Sequence, residues 1–261
     1  SELITPYRDG GHPSCVMQYQ RTPGAYFCSK KGASVIYGLK LLNPPRVLAE
    51  LIEEVNRATP KQVFFFDSGF VLGEDNPYAV NWTDNRSCPT IIPVFLNPKR
   101  ATPEVVAHEV MHSWIEFFAG LEDGREYVDQ ANRSVANAVN FIQSMVLDCT
   151  VLWKLKERGG FDLDIFRHDI MASARENITP FKEGLMHATP IGQLVAAQAL
   201  AVPAAFPDLY DLTEDNRTEL DQLWRVCRRL EPAIARTADR VVAALRENGY
   251  KTESGIRASI D

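Results

Sequence analysis

Several features that would assign a chain at sight are missing from this one. No apolar run approaches the roughly 18 to 20 residues that a membrane-spanning helix needs, so the sequence offers no candidate span. Charge of one sign is never gathered into blocks. The net charge of −6 is spread along the chain, which argues against a nucleic-acid groove and against a polybasic membrane patch. There is no Walker A loop, no dinucleotide fingerprint and no Gly-X-Ser-X-Gly elbow, so phosphate-cradling loops and the serine-hydrolase elbow are set aside. Internal repeats and low-complexity tracts are also lacking.

Cysteine is sparse. Cys15, Cys28, Cys88, Cys149 and Cys227 lack the close paired spacing of a zinc ribbon, and their odd number leaves at least one thiol unpaired in a monomer. Cys15 and Cys28 are close enough in sequence for a disulfide across a short loop. Asn-X-Ser/Thr sequons begin at Asn81, Asn85, Asn132, Asn177 and Asn216, and would mark surface loops in a secreted eukaryotic protein. The opening residues Ser1 to Pro6 do not read as a signal peptide. The expected form is soluble, either cytoplasmic or a secreted mature chain, and the sequence favours neither compartment nor any oligomeric state.

What is present is an ordinary globular composition, 45% hydrophobic and 24% charged over 261 residues, enough to bury a real core. Residues 1 to 35 read as loops with a short strand around Cys15 to Tyr19. After Asn43-Pro44-Pro45, the recurrence of Val47, Leu48, Leu51, Ile52 and Val55 predicts a helix ending before Thr59-Pro60. Gln62 to Phe66, Tyr78 to Trp82 and Thr90 to Leu96 are short, aromatic or β-branched runs and predict strands. Pro93 lacks a ladder donor, which assigns the last of these to a sheet edge. Beyond Asn97-Pro98 the chain reads as helical. Thr102 as N-cap and Pro103 at the first helical position open a helix that runs to about Ala119. Further helices are predicted over 125–158, near 163–177 and 190–202, and over 215–247, with the last dozen residues frayed.

The chemistry concentrates at residues 108 to 112, His-Glu-Val-Met-His. Histidines four apart on a helix project from one face about a turn apart, close enough to hold one metal ion. Glu109 then lies beside the ion, where a carboxylate can take a proton from water that the metal activates and later deliver it to a leaving amine.

The run Val105 to Trp114 resembles the extended consensus of the zincin metallopeptidase superfamily, in which the residues between and around the ligands are uncharged and none is proline. That resemblance implies an α+β fold: a small N-terminal mixed sheet over 1–100, a motif helix behind it, and a mostly helical part over 101–250 carrying the metal site. The tail follows over 251–261, all within one catalytic domain. It also implies one zinc ion per chain, a protein or peptide substrate, and an edge strand about Thr90 to Leu96 to which an extended peptide adds. Nucleic acid and membrane are not expected partners.

A catalytic zinc takes three protein ligands and leaves a position open, so a third ligand must lie downstream. The metzincin pattern is excluded, because it requires Gly at 115 and His at 118 where this chain has Ile115 and Phe118. Between Asn140 and Trp153 the one side chain expected to be ionised is Asp148, among Phe141, Met145, Val146, Leu147, Val151 and Leu152. A carboxylate in such surroundings is costly unless paired or bound to a metal. It shares a helical stripe with Gln130, Asn137 and Ser144, small polar groups suited to line a cleft. Asp148 is therefore the expected third ligand, with two other readings open: it holds a ligand histidine by its second nitrogen, or it pairs with a buried arginine. Glu122, Asp123, Glu126, Asp129, His168 and His187 are the remaining ligand candidates.

A carboxylate ligand on the next helix resembles the gluzincin arrangement. This chain departs from it in having Asp for Glu and no Asn-Glu-X-X-X-Asp signature, and the Gly-Thr-X-X-Asp of aspzincins is absent too. Tyr127, His168, Arg175, His187 and Tyr210 are all chemically able to stabilise an oxyanion. The competing expectation is a catalytically silent binding or sensor module of zincin type with a structural metal, which a fourth protein ligand would favour.

Overall fold

In the computed structural model the described residues are 2–4, 17–19, 26–28, 44–59, 61–67, 79–81, 91–96, 101–119, 133–182 and 190–260. They begin with three short strands, β1 (Glu2–Ile4), β2 (Met17–Tyr19) and β3 (Tyr26–Cys28), paired antiparallel in that order. Of these the sequence pattern marks only the second. Three residues are too few for a period-two alternation to emerge. Cys28 lies in β3, while Cys15 falls outside the described residues.

Helix α1 (Arg46–Ala58) forms as its spacing predicts. Leu48, Leu51, Ile52 and Val55 are all buried to within 1%. Each such side chain contributes about 1.5–3 kcal/mol when taken from water. The turn that follows is tied by Asn56, whose Oδ1 accepts from the Val63 N–H at 2.7 Å. That bond delivers the chain into β4 (Gln62–Asp67).

β4, β5 (Ala79–Asn81) and β6 (Ile91–Leu96) make a mixed sheet in the order β4-β6-β5, with β4 parallel and β5 antiparallel to β6. This corrects the expectation that Thr90 to Leu96 is an edge strand. β6 is central, and its Ile92, Val94 and Leu96 are almost wholly buried. Pro93 pairs in register with Phe64 of β4 and lies outside the described pairing with β5, which covers Val94 to Leu96. With β4 along its whole length on one side and β5 against Val94 to Leu96 on the other, β6 is not an edge strand.

Helix α2 (Pro103–Ala119) follows, opened as expected by Thr102, whose Oγ1 accepts from the Val105 N–H at 3.4 Å. Its core face is Val105, Val106, Ala107, Val110, Met111 and Ile115. These elements, residues 1–121 together with 158–161, form one compact unit.

The second unit, residues 122–157 and 162–261, is helical throughout its described part. α3 (Arg133–Arg158), α4 (Asp164–Lys182) and α5 (Pro190–Ala205) are joined by α6 (Glu214–Leu230), α7 (Pro232–Asn248) and α8 (Glu253–Ile260). α5 is buried along its second half, from Ala196 to Val202, and its alanines allow neighbours a close approach. The single helix expected over 215–247 is two. Pro232 opens α7 at its first position, where its absent N–H is not missed. The residues expected to fray instead form α8, anchored by buried Ile256. The preceding Tyr250 carbonyl accepts from the buried Thr150 hydroxyl at 2.7 Å.

The sequons do not mark loops where they are described. Asn81 is in β5, Asn177 in α4, and Asn216 in the first turn of α6, its side chain bonded to the Thr213 N–H in a capping box. Asn85 and Asn132 lie outside the described residues. The fold class is thus mostly helical with small sheets, compatible with α+β. No described helix is long and apolar enough to cross a membrane.

Candidate metal centre

The apolar face of α2 fixes where its polar residues point. With Val106, Ala107, Val110 and Met111 buried, His108, Glu109 and His112 are half-buried, the two histidines four apart on one face and Glu109 beside them. The two imidazoles meet edge to face, with ring centroids 4.9 Å apart and planes at 77°. Their Nε2 atoms approach to 3.2 Å. Two nitrogens on a tetrahedral zinc, each with a bond of about 2.0–2.1 Å, stand about 3.3 Å apart, so the pair is already at ligand separation.

Asp148, half-buried on α3, completes the group. One ligand atom from each of His108, His112 and Asp148 lies within 4.8 Å of the others, a set that could hold a metal ion. Two imidazoles and one carboxylate suit a borderline cation, and three ligands leave a tetrahedral position open. Among the described residues no other group of three such side chains gathers in this way.

Behind α2, Glu54 of α1 binds with both carboxylate oxygens. Oε1 accepts from the Trp114 indole N–H at 2.9 Å, and Oε2 from Arg158 Nη1 at 2.8 Å. Burial pushes the Glu54 pKa up, but the bonds from Trp114 and Arg158 and the charges of Arg158 and Arg57 outweigh it and hold it below the ordinary value. Trp114 is two residues past His112, and Arg158 ends α3, the helix of Asp148. Pattern reading missed this carboxylate, since Glu54 and Arg158 are 104 residues apart and neither carries a motif.

Compared with family models, with curated proteins and with solved structures, the chain matches none. The reading of the site therefore rests on its own residues.

The remaining candidates separate cleanly. His168 is exposed on α4 and takes no part in the group. Arg175 is spent on Glu219, with contacts of 2.5 and 2.9 Å. Tyr210 is buried and lines a cavity together with Asp148. Its hydroxyl lies 3.9 Å from Cys149 Sγ. Burial raises the tyrosine's pKa well above its usual value and pushes the Cys149 thiol up to about 12, so both stay protonated at neutral pH. Glu122, Asp123, Glu126, Tyr127, Asp129 and His187 lie outside the described residues.

Proposed function

We propose that the chain is a zinc-dependent peptidase of zincin type, with His108, His112 and Asp148 as ligands and Glu109 as the proton-transferring carboxylate. The observation that carries this reading is the pair His108 and His112 on one face of α2, with Nε2 atoms 3.2 Å apart and Glu109 between them in sequence. Two imidazoles at ligand separation together with one carboxylate are a donor set that suits zinc and leaves a position open. The extended motif from Val105 to Trp114, with Glu109 intact, is what turns a metal site toward hydrolysis.

Zinc, when bound, would supply Lewis acidity and bring the pKa of water at the site near 7. Glu109 receives the proton of the attacking water and passes it to the leaving nitrogen, a task that suits a half-buried carboxylate one residue from a ligand. Asp148 and the two imidazoles hold the cation and leave a position for substrate. Peptide recognition by addition to β6 has no place in this account, because that strand is central.

Glu109→Gln tests the assignment. The variant is expected to keep its metal and to lose peptide hydrolysis by about 10²–10⁴-fold. Turnover equal to wild type would remove Glu109 from the mechanism.

A further inference from the structure

The helical unit contains a cavity of about 210 Å³. It is open to solvent on one side, and its space has an identifiable origin. Three small side chains on three helices face it: Ser144 on α3, Ser173 on α4 and Ala199 on α5. Val195, Gln198 and Val202 share the α5 stripe with Ala199 at helical spacing, and Met145 and Ile170 add apolar wall. Ser144 is exposed and Asp148 half-buried, whereas Gln198, Ala199, Val202 and Tyr210 are buried. The cavity thus opens beside α3 and is floored by α5 and Tyr210.

Its size and lining define what fits. At about 30 Å³ per water it holds roughly seven water-sized groups, below the ~300 Å³ at which pockets for drug-sized molecules begin. That is the scale of one amino-acid side chain. Gln198, 4% exposed, belongs to the floor, and its Nε2 has no hydrogen-bond partner. A buried donor left unmatched by the protein favours an entering acceptor. A charged group is disfavoured: an anion would meet Asp148, and a cation would find that carboxylate already committed if it holds a metal ion as in the peptidase reading. Asp148, which lines this cavity, is also one of the three residues that could hold a metal ion.

We propose that this cavity is a binding pocket for one uncharged, mainly apolar side chain with a hydrogen-bond acceptor near its tip, carried by the substrate. The pocket itself stands on the cavity alone. Its role toward substrate rests on the peptidase reading above.

Two compounds of side-chain size test it on the full chain, p-cresol with an acceptor and toluene without one. The readout is NMR of the Met145 and Ile170 methyls and the Gln198 side-chain amide, in metal-free and in zinc-treated protein. Saturable shifts are expected with p-cresol, at an affinity about fivefold above that for toluene, as one hydrogen bond would give. Gln198→Leu is expected to abolish that preference while still binding toluene. Ala199→Phe fills the floor and should bind neither compound. Ser144→Leu, at the exposed rim, gives the same result without touching the core.

No saturable shift in wild type, or undiminished binding in the folded Ser144→Leu variant, would overturn the pocket. Probe binding without zinc uptake would leave the pocket standing and sink the peptidase reading. Zinc uptake without probe binding would do the reverse. Where peptide cleavage is measurable, saturating p-cresol is expected to suppress it several-fold, and unchanged cleavage would overturn the role toward substrate.

Discussion

His108 and His112 stand on α2 and Asp148 on α3, and what fixes the pair differs from what fixes the single carboxylate. On α2 a spacing of four residues sets the two histidines on one face of the helix, and their Nε2 atoms approach to 3.2 Å. Asp148 stands on another helix, α3, so no local spacing relates it to the pair. A pair set by helical spacing needs only its own helix to form, whereas a ligand on another helix would couple the site to the stability of the fold. Metal binding and folding should therefore be linked through Asp148 far more than through the spacing of His108 and His112.

The largest expected effect breaks the α2 side of this comparison. His112→Ala removes one of three ligands, and its zinc affinity should fall by well over the ~10–100-fold that loss of a merely supporting group costs. Wild type should gain about 2.7 kcal/mol of unfolding free energy with zinc at a hundred times its dissociation constant. At that same zinc concentration His112→Ala should gain next to nothing. Denaturant melts with and without zinc check both, and equal stabilisation of the two proteins would remove His112 from the site.

A smaller effect sharpens the α3 side. Glu54→Gln loses a charge-assisted acceptor shared by Trp114 and Arg158 and should cost about 1 kcal/mol, the modest size reflecting a carboxylate about one-third exposed. The folded pKa of Glu54 is depressed, so the carboxylate's contribution is present above its unfolded pKa and is lost as pH falls through the folded one. The gap between wild type and variant should narrow as pH falls below about 4.5. A gap independent of pH would show that the charge is not what matters.

Thr102→Ala is the smallest of the set. It removes a long capping bond to Val105 at the start of α2 and should cost about 0.5–1 kcal/mol. Its thermal midpoint should drop slightly, with zinc affinity unchanged. A loss of affinity would mean that the cap also sets the histidine geometry.

These differences explain what could be read from the residues and what could not. The faces of α1 and α2 were legible because burial on one side of a helix leaves a 3.6-residue signature, met in full by Leu48, Leu51, Ile52 and Val55. The histidine pair and Glu109 were legible for the same local reason. Asp148 was legible as an anomaly, a carboxylate among apolar neighbours, though its target lay beyond local reasoning. The central place of β6 was misread because Pro93 was weighed without knowing that β4 and β5 both pair with its strand. The break at Glu231-Pro232 was misread because the apolar pattern continues across it. Glu54 and the cavity left no trace in the pattern, because each arises from residues that meet only in three dimensions.

The most direct test of the central claim is elemental analysis of protein purified without chelator or added metal, wild type beside Asp148→Ala. About one zinc per wild-type chain, sharply reduced in the variant, is the result this account predicts. No zinc in wild type, and none taken up on addition, would contradict it. Full zinc in both proteins would keep the histidine pair and remove Asp148 as its third ligand.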